Sequence, residues 1–301
     1  GYQETINYSF VEERWENELA GNAQPIRLLN PIASQMSVMR SSLIGSLLNV
    51  LKFNLDRKAS RVRVFEVGRV FLRDASVVDS DTTVAGFHQP MRVAGMAYGP
   101  VNALQWGTKD TASDFYDVKG DVEALLTQQD VRFEPVQHPA LHPGRAAAVL
   151  LNGQAIGVVG ELHPRWRQAY DLPQAPVLFE LDWGAVLGRQ VPQFAPVAKN
   201  QFVERDVAVI VKESVTHDQL LAAVQAAPTQ GMLRDATVFD IFRTNPKAAA
   251  SSNWLAADEK SVAIRLQFLN EQASLTDEVI ETLRQAVLAQ LTSDVQARLR
   301  G

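Results

Sequence analysis

Three features of the 301-residue chain predict an α+β protein of two domains. Strand-like alternation and helical periodicity interleave through the first two thirds, which implies helices standing among antiparallel strands. The stretch Leu181 to Gln201 holds Pro192 and Pro196 and lacks sustained periodicity, so the boundary is placed there, with domains at residues 1–190 and 191–301. The last third reads strand, helix, strand, strand, helix, strand, the split βαβ arrangement, whose helices cover one sheet face and leave the other open. Single cores rarely grow past about 250 to 300 residues, so two cores suit the length.

In the first domain, "YQETINYSF" reads as an opening strand, and Asn30-Pro31 marks a turn. Leu43, Ile44, Leu47, Leu48, Leu51 and Leu55 recur at helical spacing, predicting a helix from about Ser41 to Leu55. "RVRVFEVGRVF" (61–71) alternates as a half-buried strand, with Phe65 and Val67 on one face and Val64, Glu66 and Gly68 on the other. A polar loop follows, in which Asp74, Asp79 and Asp81 read as solvated rather than as Mg²⁺ ligands, and then the strand "MRVAGMAYG". "DFYDVKGDVEALLTQQ" predicts a helix with Val122, Leu125 and Leu126 inward. Asn152-Gly153 between two strand-like runs is the preferred two-residue hairpin turn, because both positions need positive φ. "PVLFEL" is the closing strand.

In the second domain "RDVAVIV", "LRDATVFDIFR" and "KSVAIRLQFLN" are strands, and "VQARLRG" is an edge strand. "THDQLLAAVQAA" and "TDEVIETLRQAVLAQL" are helices, the first capped by Thr216, the second carrying Ile280, Leu283, Val287 and Leu291 on one face. The loop "TNPKAAASSNWLAADE" joins the second and third strands.

The absence of cysteine excludes disulfides and thiolate metal sites. No run reaches the roughly 18 apolar residues of a membrane span, and no signal peptide is visible, so a soluble, cytoplasmic protein is expected. The start at Gly1 suggests a piece of a longer protein. With 29 Lys plus Arg against 34 Asp plus Glu, bulk electrostatic capture of nucleic acid is not expected.

Seven stretches, in order, resemble segments of one family. They are "GYQETINYSF" (1–10), "NPIASQMSVMRSSLIGSLL" (30–48), "VFEVGRVF" (64–71), "FYDVKGDVEALL" (115–126), "HPGRAAAVLLNGQAIGVVGELHP" (142–164), "RDVAVIV" (205–211) and "SVAIRLQF" followed by "SLTDEVIETLRQAV" (261–287). The family is the beta subunit of bacterial phenylalanyl-tRNA synthetase. The resemblance implies a degenerate, catalytic-like class II synthetase domain over residues 1–190 and a ferredoxin-like anticodon-binding domain over 191–301. It further implies that this is a C-terminal part without the upstream editing module. The partners it implies are phenylalanine tRNA and an alpha subunit, in a heterotetramer of two alpha and two beta, with aminoacylation on alpha. ATP and Mg²⁺ would serve the holoenzyme, with no cofactor in this stretch.

Class II synthetases stabilise the α-phosphate with an arginine two residues before a glutamate on one strand, so that both side chains share a face. Here Glu66 is present, but Val64 stands two before it, and Arg61 and Arg63 point to the opposite face. Losing one pre-organised donor costs about 2.7 to 4 kcal/mol of transition-state stabilisation. The arginine expected late in the domain is also missing, since "VLFELDWGAVLG" has none before Arg189. A non-catalytic domain is therefore expected, with no catalytic residues. Two alternatives stand beside it. One is a metal-dependent hydrolase built on His138, His142 and His163 with Glu161, although Pro139 and Pro143 interrupt any helix that would align "HPALH". The other is a protein-interaction module that binds no RNA.

For binding, Met36, Met39, Arg40, Leu43, Leu47 and Leu51 are the subunit-interface candidates, since the resemblance implies that this region meets the alpha subunit. Arg40, Lys52, Arg57, Lys58, Arg61 and Arg63 form a local basic cluster. In the second domain, alternation turns Val262, Ile264, Leu266 and Phe268 toward the helices and Ser261, Ala263, Arg265 and Gln267 outward. Arg205, Arg243 and Arg265 are the candidate phosphate or base contacts. Phe239 or Phe242 is the candidate stacker, and Ser261 and Gln267 complete the tRNA-binding set with Phe239. Residues 197–301 carry 11 Lys plus Arg and 13 Asp plus Glu, so the tRNA expectation rests on the resemblance and not on charge.

Overall fold

Seven strands build the central sheet of the first of two compact units, Gly1–Pro192 and Gln193–Gly301. The computed structural model describes residues 1–126, 130–188, 194, 197–244 and 255–300. The strands are β1 (Gln3–Glu4), β2 (Val62–Arg69), β3 (Met91–Tyr98), β4 (Val131–Pro135), β5 (Leu141–Leu151), β6 (Gln154–Leu162) and β7 (Val177–Asp182). Their order is β1-β2-β3-β7-β6-β5-β4. The β1–β2 pair is parallel and the others are antiparallel.

Alternation along β2 divides the core as the sequence predicts. Val62 and Val64 pack with helix α1 (Ile44–Leu55) on one face, while Phe65 and Val67 join the cluster under helix α2 (Phe115–Leu125) on the other. Asn152 and Gly153, with φ of 51° and 80°, make the turn between β5 and β6. Asp114 and Asp117 form a reciprocal cap at the start of α2.

Several local expectations need correction. Helix α1 starts at Ile44 and not at Ser41; the segment ahead of it is fixed by tertiary contacts, with buried carboxylates from distant segments accepting the amides of Ser41 and Leu43. Leu125 is 43% exposed; Val118 and Val122 fill the inward face of α2 instead. The last residues of that expected helix, 127–129, lie outside the described residues. Only Gln3–Glu4 of the opening segment is a strand in the central sheet. Helical turns at Glu13–Trp15 and Glu16–Ala20, and the strand β4, carry too few apolar residues in register to announce themselves.

In the second unit the elements are β8 (Val203–Lys212), α3 (His217–Ala226), β9 (Leu233–Phe242), β10 (Glu259–Phe268), α4 (Asp277–Val295) and β11 (Arg298–Leu299). The antiparallel sheet runs β9-β10-β8-β11. Val207, Val209, Val211, Val262, Ile264, Leu266 and Phe268 face both helices in one core. Thr216 and Gln219 cap α3 reciprocally, and Thr216 accepts the Gln219 amide as its position promised. Residues 245–254 of the connecting loop lie outside the described residues. Among the described residues, no helix is long and apolar enough to cross a membrane.

Candidate functional site

The uncovered face of the second sheet is built by the residues that alternate with its core. Arg265 lies at its centre on β10, opposite Asp206 of β8 and Thr237 of β9. Its guanidinium clasps Asp206 through Nε to Oδ1 at 2.8 Å and Nη2 to Oδ2 at 2.9 Å, and Glu204 stands 3.7 Å from Nη1. These hydrogen bonds hold the Asp206 carboxyl below its ordinary range and push the Arg265 guanidinium up, so both stay charged across the physiological range. Arg265 also lies 5.2 Å from the ring centre of Phe239, a cation–π contact. A β-bulge between Val238 and Asp240 re-aims Phe239, which is about half exposed. Gln267 donates Nε2–H to Glu204 Oε1 at 2.9 Å.

The expected tRNA set is thus brought together only in part. Phe239, Arg265 and Gln267 share the open face. Arg205 does not: it alternates with Val207 and Val209, so it emerges on the helix side, where Nη2 meets Asp277 Oδ1 at 3.1 Å in the first turn of α4. Arg243, beyond the end of β9, is clamped by Glu213 through Nε at 3.0 Å and Nη2 at 2.8 Å. Ser261 is buried at 3% exposure, opposite Ile210 and Phe242, and offers no accessible hydroxyl. On the face itself Glu204, Asp206, Asp235 and Asp240 surround Arg265. Such a surface disfavours phosphate capture and suits stacking and hydrogen bonding to unstacked bases.

In the first unit, three buried carboxylates hold the segment Arg40–Leu43 ahead of α1. Glu66 Oε1 accepts from Arg40 Nη1 at 2.7 Å, both side chains being 3% exposed, and Oε2 accepts from Asn7 Nδ2 at 2.8 Å. Glu16 Oε1 accepts the Ser41 amide at 2.9 Å. Glu180 accepts the Leu43 amide at 2.8 Å and the Ser42 hydroxyl at 2.9 Å; burial pushes its pKa up, against the pull of those hydrogen bonds. Amides at a helix start have no intrahelical partner, which is why carboxylates fit here.

This arrangement corrects the interface expectation. Leu43, Leu47 and Leu51 are fully enclosed in the unit's own core, and Arg40 is locked to Glu66. Helical periodicity reports burial without saying against what. Met36 and Met39 are half-buried, and Met36 lines a shallow pocket with Tyr8, Phe10 and Trp15. Nearby along the chain, Ile6, Tyr8, Leu29 and Ile32 are exposed. Most of the basic cluster is likewise engaged: Lys52 pairs with Asp56, Arg63 with Asp121, Arg57 donates to the Phe53 carbonyl, and Arg61 donates to the Pro100 and Val101 carbonyls.

The metal alternative also dissolves in the geometry. His138, His142 and His163 each precede a proline, and each Nδ1 accepts the amide two residues on, from Ala140 at 3.2 Å, Gly144 at 3.0 Å and Arg165 at 3.1 Å. They serve as turn caps, and Glu161 pairs with Arg145 at 2.7 Å. Among the described residues no group of three or more His, Asp or Glu could hold a metal ion.

The family model described as "Phenylalanyl tRNA synthetase beta chain CLM domain" matches residues 1–183, and that described as "Ferredoxin-fold anticodon binding domain" matches residues 198–300. Sheet-based core and ferredoxin-fold module together define the class, a subunit of an aminoacyl-tRNA synthetase. Curated relatives include the phenylalanine–tRNA ligase beta subunits of Cupriavidus pinatubonensis, 53% identical over 304 residues, and Ralstonia nicotianae, 50% identical over 304; each alignment covers 100% of this chain and 37% of the relative. That of Chromobacterium violaceum is 48% identical over 299 residues, covering 99% of this chain and 36% of the relative. The chain belongs to the phenylalanine–tRNA ligase beta subunit family, and spans a little over a third of the length of these relatives.

Proposed function

We propose that the chain is a non-catalytic part of a phenylalanine–tRNA ligase beta subunit that supports ATP-dependent attachment of phenylalanine to its tRNA. In this reading it assembles with an alpha subunit in an α₂β₂ enzyme of the cytoplasm, alpha performs the chemistry with ATP and Mg²⁺, and the second unit contacts tRNA. The observation that carries the tRNA role is the open sheet face, where the half-exposed Phe239 is backed by Arg265 beside Gln267. Bases splayed from an anticodon loop would stack on Phe239 and exchange hydrogen bonds with Arg265 and Gln267.

The first unit we read as a degenerate class II synthetase domain. The carboxylate that would serve an adenylate strand, Glu66, is neutralised by Arg40 and shut from solvent. Val64 stands two residues before it, where an adenylate strand carries the arginine that stabilises the α-phosphate. Its contact with alpha we place on the exposed Ile6, Tyr8, Leu29 and Ile32, flanked by the half-buried Met36 and Met39. ATP–pyrophosphate exchange with phenylalanine tests the catalytic half of this reading: none is expected from the chain free of alpha, and measurable exchange would overturn it.

A further inference from the structure

The side chain of Arg92 makes no hydrogen bond or ion pair among the described residues, and its Nε is buried. Arg92 as a whole is half-buried, but a donor such as its Nε, withdrawn from water without a partner, is costly. Strand register shows why Arg92 makes no hydrogen bond, although its charge acts on Glu180 nearby. Across β2, β3 and β7, Glu66, Ala94 and Glu180 form one row, and Gly68, Arg92 and Asp182 form the next row on the same face. The carboxylates of the first row are taken by Arg40, Asn7, Ser42 and Leu43. In the second row, a side chain at position 68 would strike the Arg40 guanidinium, so glycine leaves Arg92 nothing to bond on that side. On the other side Asp182 Oδ1 accepts the Ala185 amide at 3.1 Å, capping the short helix that follows β7. Arg92 opens instead onto a cavity of about 500 Å³, whose wall also carries Asn152, Gln154 and Asp182.

We propose that this cavity is an oxyanion site, in which the Arg92 guanidinium binds a small carboxylate or phosphate monoester through paired N–H donors. Asn152 and Gln154 at the β5–β6 hairpin supply amide donors at the wall. Asp182 sets the selectivity: its carboxylate beside a single guanidinium repels polyphosphates and favours a ligand of low charge. The site stands on the first unit alone and holds whether or not the second unit binds RNA.

The test is calorimetric titration of the full chain at low ionic strength, with inorganic phosphate in one arm and acetate in the other. Saturable binding of at least one ion is expected. Phosphate alone assigns the site to phosphate monoesters, and acetate binding as well extends it to carboxylates. Arg92→Ala and the longer polar Arg92→Gln should each weaken binding by about tenfold or more, the loss expected for a charge-assisted hydrogen-bond donor. Asp182→Asn, which keeps an oxygen for the Ala185 amide, should tighten phosphate binding. Circular dichroism melts identify which variants are folded; if neither neutral variant folds, a changed affinity in Arg92→Lys carries the test. Absence of binding in both arms, or affinity unchanged in every folded Arg92 variant, overturns the proposal.

Discussion

Arg40 and Glu66 form an ion pair of 2.7 Å with each side chain 3% exposed, joining the segment ahead of α1 to the middle of β2. A buried pair of this kind contributes little net stability when whole, but breaking it leaves an uncompensated charge. Glu66→Gln or Arg40→Ala should therefore lower the stability of the first unit by about 3–5 kcal/mol in urea denaturation. Gly68→Ala should weaken the same pair, because the added methyl collides with the Arg40 guanidinium.

Glu180 offers a contrast. Among the described residues no cation lies within ion-pair distance of it, although Arg92 and Arg40 act on it from further away, and its partners, Ser42 and the Leu43 amide, can both bond to a neutral amide. Since burial already disfavours its charge, Glu180→Gln should cost about 1 kcal/mol or less, measured beside Glu66→Gln under the same conditions.

How far the chain was legible follows from sequence distance. The Asn152-Gly153 turn and the Thr216 cap are local chemistry and stand where the residues place them. Arg40 and Glu66 are 26 residues apart, and nothing in either segment names the other. Likewise Leu43, Leu47 and Leu51 repeat with the same period whether they pack at home or against a partner. Arg205 was legible by a stricter use of alternation, since it shares its parity with Val207 and Val209 and so belongs on the helix side. The clamping of Arg265 and Arg243 by Asp206 and Glu213 was not, because it depends on strand register and loop closure. The cavity at Arg92 is invisible for the same reason.

The histidine caps give the first unit a pH dependence. Burial lowers the pKa of His138, and burial with nearby Arg165 and His142 lowers that of His163. Both must be unprotonated at Nδ1 to accept their amides. The unfolded chain thus binds protons more readily, so their contribution is fully present above the ordinary histidine value of about 6.5 and is lost as pH falls from there toward the depressed folded values. Thermal melts between pH 7.5 and 5.5 should show the decline. His138→Asn, whose Oδ1 caps the same turn, should make it shallower.

Placing a charge among the exposed apolar residues should damage assembly without unfolding the chain. Tyr8→Glu and Ile32→Glu, at exposed positions, are expected to leave the melting temperature within a few degrees and to weaken co-purification with the alpha subunit. Undiminished co-purification of both variants would move the contact elsewhere.

The most direct measurement is the affinity of the chain for phenylalanine tRNA as a function of salt, with and without Phe239→Ala. Truncating the stacking ring should weaken binding by about 1–3 kcal/mol per base stacked. Because the open face carries four carboxylates around one clasped arginine, the plot of log K against log salt should be shallow, with a slope no steeper than about −1.5, and the variant should keep that slope. Equal affinity of wild type and Phe239→Ala, together with a steep salt dependence, would contradict base stacking on this face and return the interface to phosphate contacts elsewhere on the chain.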